Sequence, residues 1–593
     1  MNTTLQELTA RVSAAFADAG FDPALGSVQV SNRPDLCPFQ CNGALSGAKA
    51  YRKAPFMIAD AVAEKLSSDP AFAKVEVVKP GFLNLTPSDA FLLERAARTI
   101  ADPFDGVPQA GESTDSPKPM TIILDYGGPN VAKALHVGHL RTANIGESLK
   151  RLARACGHKP MGDIHLGDWG LQMGLVIAEY SVRNPEWACF REDFDPEKDS
   201  VPTLNVLELN EVYPCASAKS KEDEAFKNLA RSVTATLQSG KHPGYTALWK
   251  EILRTSVEDM KKSYARLNVD FDLWYGESDA EKWIPELMDI LREQNLLVES
   301  DGAMVVEVAQ DDDKITMPPV IIRKSDGSSG YPVTDLATIL QRQRDFAPDE
   351  IWYVVDKRQS LHFTQVFRCA HKAGIVPEST VLSHFGNGTM NGADGRPFKT
   401  RDGGVMSLSN LLDTATEAAA EKLRGSEHVP ADELDETARR IAIAAIKFGD
   451  LMNHLSGDVT FDLDKFMSFE GKTGVYLLYT LTRIRAVLEK AGVDPDAEAV
   501  IHSIESDAQR ALLYANLSVG ESFRRAMEER SPNLLCEAAY QLAVAFSSFY
   551  HDSSVLGESD PVKRESLLGL CRLTRRMMCK LLDTLAIQPV DHM

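Results

Sequence analysis

Four short apolar runs place the tightest constraint on this chain: TIILDY (121–126), MGDIHL (161–166), IWYVVD (351–356) and STVLSHF (379–385). Each gives way to a loop bearing Gly, Asn or His, and then to helical spacing. Strands without polar alternation are buried on both faces, and repeated strand–loop–helix units produce a parallel sheet covered by helices. Residues 120–415 are therefore read as an α/β unit. Between about 180 and 330 the alternation yields to charged helical sequence and an antiparallel piece, MVVEVA to VIIRKSDGSSG, which reads as an insertion into the sheet.

The stretch Asp105–Pro119, DGVPQAGESTDSPKP, is rich in Pro, Gly, Ser and Asp and has no periodicity, so it reads as a linker centred on 111–119. Residues 1–110 before it read as an α+β domain. Leu5, Leu8, Val12 and Phe16 share one helix face, and the acidic Glu7 and Asp18 are foreign to a signal peptide. VEVV, KPGF and LNL predict a hairpin; Thr86 is then expected to cap a helix with Pro87 in its first position. Beyond 415 strand patterns nearly vanish, and 416–593 is expected to be all-helical.

No apolar run approaches the ~20 residues of a membrane-spanning helix. The nine cysteines contain no CxxC pair. Cys37 and Cys41 stand apart as CxxxC, which predicts reduced thiols in a cytoplasmic protein and no metal site. A net charge of −21 excludes a generally basic, sequence-indifferent nucleic-acid binder. Pro561–Lys580 departs from that balance, with Lys563, Arg564, Arg572, Arg575, Arg576 and Lys580 against a single acid, Glu565. Such a segment is either a solvated helix face or a local phosphate-binding patch.

In open α/β sheets, ligands bind beyond the carboxyl ends of the strands, at helix N-termini. PNVAKALHVGHLR (Pro129–Arg141) follows the first strand and stands in that place. Gly138 admits a phosphate or ribose close to the backbone. His136 and His139, three apart, lie on one side of a helical turn and can donate to phosphate oxygens, and Lys133 adds a mobile positive charge. The same spacing also suits two histidines that cap the helix or fill the core.

PNVAKALHVGHLR resembles the HIGH motif of class I aminoacyl-tRNA synthetases. With GDIHLGDWGLQMG, RLNVDFDLWYGES, GYPVTDLATILQRQR, WYVVDKRQSLHFTQVF, GADGRPFKTRDGG and YLLYTLTRIRAVLEKAG, the chain is similar to arginyl-tRNA synthetases over nearly its whole length. The resemblance implies a multidomain fold: a Rossmann-type parallel-sheet catalytic core with an insertion, an N-terminal α+β domain that touches the tRNA elbow, and a C-terminal all-α anticodon-binding domain. It implies an arginine–tRNA ligase using ATP with Mg²⁺, without a structural metal, with tRNA(Arg), L-arginine and ATP as partners, acting as a monomer and requiring bound tRNA for activation. The ATP-binding set becomes His136, Gly138 and His139, with His362 near the adenosine. The usual KMSKS loop is absent: Lys399 and Arg401 of GADGRPFKTRDGG stand in its place, and Lys133 occupies the compensating position.

The substrate side chain would be a planar cation with five donors, which calls for carboxylates in bidentate reach and a flat partner. Tyr331 and Asp335, four apart, can line one wall of such a pocket if Thr334 caps a helix there, and Glu277 of GES supplies a second acid. By resemblance Tyr331, Asp335, Glu277 and Gln359 contact the arginine side, and Asn130 holds its α-amino or carboxylate end. Trp169 of GDWG reads as packing. In the helical tail, Phe549 and Tyr550 are candidates for stacking on unpaired bases, and Arg572, Arg575 and Arg576 for phosphate contact. The alternative is a catalytically inactive relative that binds RNA; intact HVGH and intact guanidinium-matching acids argue against it.

Overall fold

The computed structural model describes residues 2–33, 36–112, 116–325, 329–330, 332–392, 395–396, 406–424 and 428–593. The first helix, Thr4–Asp18, is closed by a capping box in which Thr3 and Gln6 exchange bonds, and it buries Leu8, Val12 and Phe16. It packs against an antiparallel sheet of β1 (Val28–Val30), β2 (Phe39–Cys41), β3 (Phe72–Val78) and β4 (Phe82–Pro87), ordered β1-β2-β4-β3. The predicted hairpin is β3–β4. The predicted cap after it is displaced: Thr86 and Pro87 remain in β4, opposite Lys74 and Phe72. Ser88 caps the Asp89–Ala101 helix instead, its hydroxyl accepting from the Phe91 N–H at 3.2 Å. Strand pairing extends two residues further than local cap preference suggests.

The parallel sheet joins β5 (Thr121–Tyr126) and β6 (Lys159–Asp163) to two later strands. The inserted antiparallel piece follows, as β7 (Val298–Ser300), β8 (Ala303–Val306) and β9 (Val320–Arg323). Next come β10 (Glu350–Val354) and β11 (Val381–His384), giving the order β11-β10-β5-β6 with every pairing parallel. Side chains alternate across the sheet as strand geometry requires. Ile122, Leu124, Trp352 and Val354 enter one core with the Val137–Ala155 helix. Ile123, Ile351 and Tyr353 enter another with the Pro332–Phe346 and Ser360–Lys372 helices. The chain leaves β5 in one direction to reach β6 and later returns to β10 on its other side, so the carboxyl ends of β5 and β10 border the crevice where such sheets bind ligands.

β12 (Met390–Asn391) pairs in parallel with β13 (Val459–Thr460), a short strand inside the region read as purely helical. The Leu408–Leu423 helix runs straight through residues 415 and 416, where the sequence reading divides the chain. The next helix, Leu434–Leu451, is locked onto Val137–Ala155 by Asp450, which accepts from Arg141 Nε at 2.7 Å and Asn144 Nδ2 at 2.9 Å, all buried.

The front of the expected linker is docked. Val107 is buried; Gln109 donates to the carbonyls of Val107 (3.0 Å) and Ala155 (2.8 Å); the Ala110 N–H donates to Cys156 O at 2.9 Å. Among the described residues no helix is long and apolar enough to cross a membrane.

Candidate active site at the carboxyl ends of the parallel strands

The loop after β5 turns through Ala132, at φ +61°, and enters the Val137–Ala155 helix with His136 as its N-cap. His136 Nδ1 accepts from the Gly138 N–H at 3.0 Å, and His139 Nδ1 accepts from the His136 N–H at 3.1 Å. The two rings lie 4.0 Å apart. The cap and the chemistry are compatible. With each Nδ1 occupied as an acceptor, each ring carries its proton on Nε2, which is left as a neutral donor. Burial, reinforced by Lys133, holds His136 below the ordinary histidine range; burial, with His136 and Lys133, pushes His139 down to about 3. Gly138 is required by its own neighbour, since a Cβ there would stand 2.7 Å from His136 Cε1. Lys133 is exposed at the rim. The Val137 N–H donates to Met406 O at 3.1 Å and the Leu408 N–H to Leu135 O at 2.9 Å, so the segment leaving the Gly392–Gly404 loop is zipped to the histidine turn.

Asn130 and Glu277 flank one short segment, Ile164–Gly167, beyond β6, which turns at His165 (φ +42°). On one side the Val131 N–H reaches Gly167 O (3.0 Å) and the Gly167 N–H reaches Pro129 O (3.1 Å). A Cβ on Gly167 would lie 2.3 Å from Asn130 Oδ1. On the other side the Glu277 N–H donates to Leu166 O at 3.0 Å, and the Leu166 N–H to Tyr275 O at 2.7 Å. Burial, with Asp168 and Asp335 adding to it and His165 opposing, raises the Glu277 carboxyl. The Glu277–Ala280 turn packs against the Pro332–Phe346 helix, which carries Asp335. Asp168 fixes the Glu277 turn by accepting from the Ser278 N–H (3.0 Å) and hydroxyl (2.6 Å). Nothing in GDWG alone marked that role.

The Pro332–Phe346 helix starts two residues before Thr334, so Thr334 and Asp335 stand in its first turn and Thr334 is not its cap. His362 Nε2 meets Asp335 Oδ2 at 2.7 Å, a contact with the acid that the sequence reading assigned to arginine. Gln359 is exposed at the end of the Lys357–Gln359 turn after β10. Trp169 packs edge-on against Trp249 with centroids 5.1 Å apart. Tyr331, Lys399 and Arg401 lie outside the described residues. Among the described residues no group of three or more His, Cys, Asp or Glu is placed to hold a metal ion.

The sequence model for the catalytic domain of class I tRNA synthetases (R) matches residues 108–463. Those for the arginyl tRNA synthetase N-terminal domain and the DALR anticodon-binding domain match 6–86 and 477–593. An arginine–tRNA ligase of Agathobacter rectalis is 45% identical over 604 residues, covering 100% of both chains. One from Alkaliphilus oremlandii is 45% identical over 594 residues with the same coverage. The chain belongs to the arginyl-tRNA synthetase family. Its fold matches the crystal structure of arginyl-tRNA synthetase from Plasmodium falciparum with a TM-score of 0.80 at 21% identity, covering 100% of both chains.

The RNA end of the synthetase departs from the sequence reading. Phe549 is fully buried and offers no face to a base. Tyr550 is half-buried beneath the Arg483 guanidinium, 4.2 Å from its ring centre. Arg572 donates to Asp494 O at 3.0 Å, and Arg575 pairs with Asp496. Arg576 donates to the carbonyls of Ile100 (2.9 Å) and Asp102 (3.1 Å) and pairs with Asp105. Lys580 donates to Phe104 O at 2.7 Å and pairs with Asp105. Arg576 and Lys580 thus fasten the N-terminal domain to the last helix, while Arg572 and Arg575 bind the 494–496 segment of the helical region itself.

Proposed function

We propose that this synthetase joins L-arginine to tRNA(Arg) in two steps: ATP and arginine form arginyl-adenylate and pyrophosphate, and the terminal adenosine hydroxyl of the tRNA then takes the arginyl group, releasing AMP. The observation that carries the reading is the packing of the Glu277 turn on the helix that carries Asp335, beside two histidines poised as neutral Nε2–H donors. A guanidinium needs paired carboxylates. In-line attack of the arginine carboxylate on the α-phosphorus makes no covalent enzyme intermediate and needs donors placed where charge spreads over phosphate oxygens.

In this reading Asn130 holds the α-amino or carboxylate end of arginine, and Glu277, Asp335, Tyr331 and Gln359 the side chain. His136, Gly138 and His139 cradle the phosphates of a nucleotide that brings its own Mg²⁺. Lys133, Lys399 and Arg401 neutralise pyrophosphate. Residues 1–110 meet the tRNA elbow and 416–593 its anticodon, in a cytoplasmic monomer. Two acids around one guanidinium reject lysine, which satisfies one fork at most, and citrulline, which lacks the charge. The test is ATP–pyrophosphate exchange with arginine, lysine, glutamine and cysteine, each with and without tRNA. Exchange with arginine alone among the four amino acids is expected, and only when tRNA is present. Silence in folded protein that still binds tRNA refutes the catalytic reading, and exchange with arginine but no tRNA refutes the tRNA dependence.

A further inference from the structure

Behind the proposed arginine pocket lies a guanidinium that the reaction does not use. Arg342, on the Pro332–Phe346 helix, is fully buried. Its Nη2 bridges two carboxylates, Asp125 Oδ2 at 2.7 Å and Asp163 Oδ2 at 2.6 Å, near the carboxyl ends of β5 and β6. Its guanidinium also stands 5.4 Å from the ring centre of Tyr353, next to last in β10. One side chain thus ties together the ends of three neighbouring strands.

Each of those strands leads directly into a piece of the pocket. β5 leads to Asn130; β6 leads to the His165–Asp168 turn that holds Glu277; β10 leads to Gln359 and His362. Asp163 also accepts from the His165 N–H at 3.4 Å. The helix carrying Arg342 has Asp335 in its first turn, seven residues earlier, which is two turns and the same face. A second route reaches the same acid: Tyr353 packs on Phe363 (4.8 Å), which lies edge-on to His362 (5.5 Å), the partner of Asp335.

The cluster is poorly built for stability. Two carboxylates share one guanidinium nitrogen, burial raises the Asp125 carboxyl, and the Arg342 Nε and Nη1 atoms are buried with no hydrogen-bond partner. An apolar core of the same volume serves stability as well or better. We propose that Arg342 is a positioning residue for arginine recognition, holding Asn130, Glu277 and Asp335 in register from behind the strands. The inference rests on the arginine reading above. A lysine in its place keeps the charge but is shorter and lacks the planar group that reaches both carboxylates through Nη2 while facing the Tyr353 ring.

The experiment compares wild type, Arg342→Lys and a triple variant, Arg342→Met with Asp125→Asn and Asp163→Asn, in ATP–pyrophosphate exchange, alongside thermal melts. For Arg342→Lys the KM for arginine is expected to rise about 10- to 100-fold while the KM for ATP stays within about twofold. The triple variant removes all three buried charges. It is expected to melt no lower than Arg342→Lys and still show the raised arginine KM, which separates positioning from stability and carries the test if the single variant does not fold. A folded variant whose arginine KM stays at the wild-type value overturns the proposal, as does an equal rise for ATP. A wild type that exchanges with lysine or glutamine in place of arginine overturns the arginine reading first.

Discussion

Lys447 sits on the Leu434–Leu451 helix, fully buried, with no hydrogen-bond partner for its Nζ. Burial, aided by Arg151 and opposed by Glu147 and Asp450, lowers its pKa from 10.5 to about 7. The sign follows from counting protons. Between about pH 7 and 10.5 the unfolded chain holds a proton on this amine that the folded chain does not, so stability falls as pH falls through that window. Below about 7 both states are protonated and the loss is complete. At about 1.4 kcal/mol per pH unit, the accumulated cost is on the order of 5 kcal/mol. Lys447→Met removes the ionisable group and keeps most of the stem volume. It is expected to raise the melting temperature near neutral pH by roughly 5 °C and to flatten the rise in stability between neutral and alkaline pH. Melts of both proteins across that range give the result directly. Equal slopes, or a variant that melts lower at every pH, would refute the claim that this amine is buried without compensation.

Four further outcomes follow, three from the site and one from the last helix. With His136 held below its ordinary range and His139 down at about 3, the exchange rate should show no acid limb near the unperturbed histidine value of about 6.5. His139→Ala should lower kcat by about 10²-fold, while melts register the lost bond from the His136 N–H, about 1 kcal/mol. Gly138→Ala, whose methyl would meet the His136 ring, should reduce exchange more than it reduces melting temperature; a fully active variant would mean that the ring position is unimportant. Arg576→Ala removes the bonds to Ile100 O, Asp102 O and Asp105, so limited proteolysis should cut faster within 105–119 than in wild type, at about unchanged exchange rate.

What the sequence could show and what it hid divide along a physical line. The strands of the parallel sheet were legible because uninterrupted apolar runs have few other uses, and the histidine turn because a glycine and a helix start mark it locally. The cap after β4 was misplaced because strand pairing with Lys74 and Phe72 is not a local property. Arg342 reads, within LQRQRDF, as one more surface charge; its acids lie 217 and 179 residues away along the chain. The basic run near the C-terminus suggested RNA because its partners are distant along the chain: Asp494 O and Asp496 for Arg572 and Arg575, and Ile100 O, Asp102 O, Phe104 O and Asp105, about 475 residues earlier, for Arg576 and Lys580. Phe549 looked like a platform because a helix-end aromatic has the same local signature whether it faces water or core.

The pairing of His136 with Ser407 has a kinetic consequence. Arg401 and Lys399 lie six and eight residues before Ser407. At about 3.5 Å per residue they can never be farther than roughly 20–30 Å from that anchor. In the proposed reaction the two cations act on the departing pyrophosphate as tethered reagents. Their effective concentration, on the order of millimolar, is then set by a main-chain clasp on the turn proposed to cradle the nucleotide, and does not vary with how much free cation surrounds the enzyme.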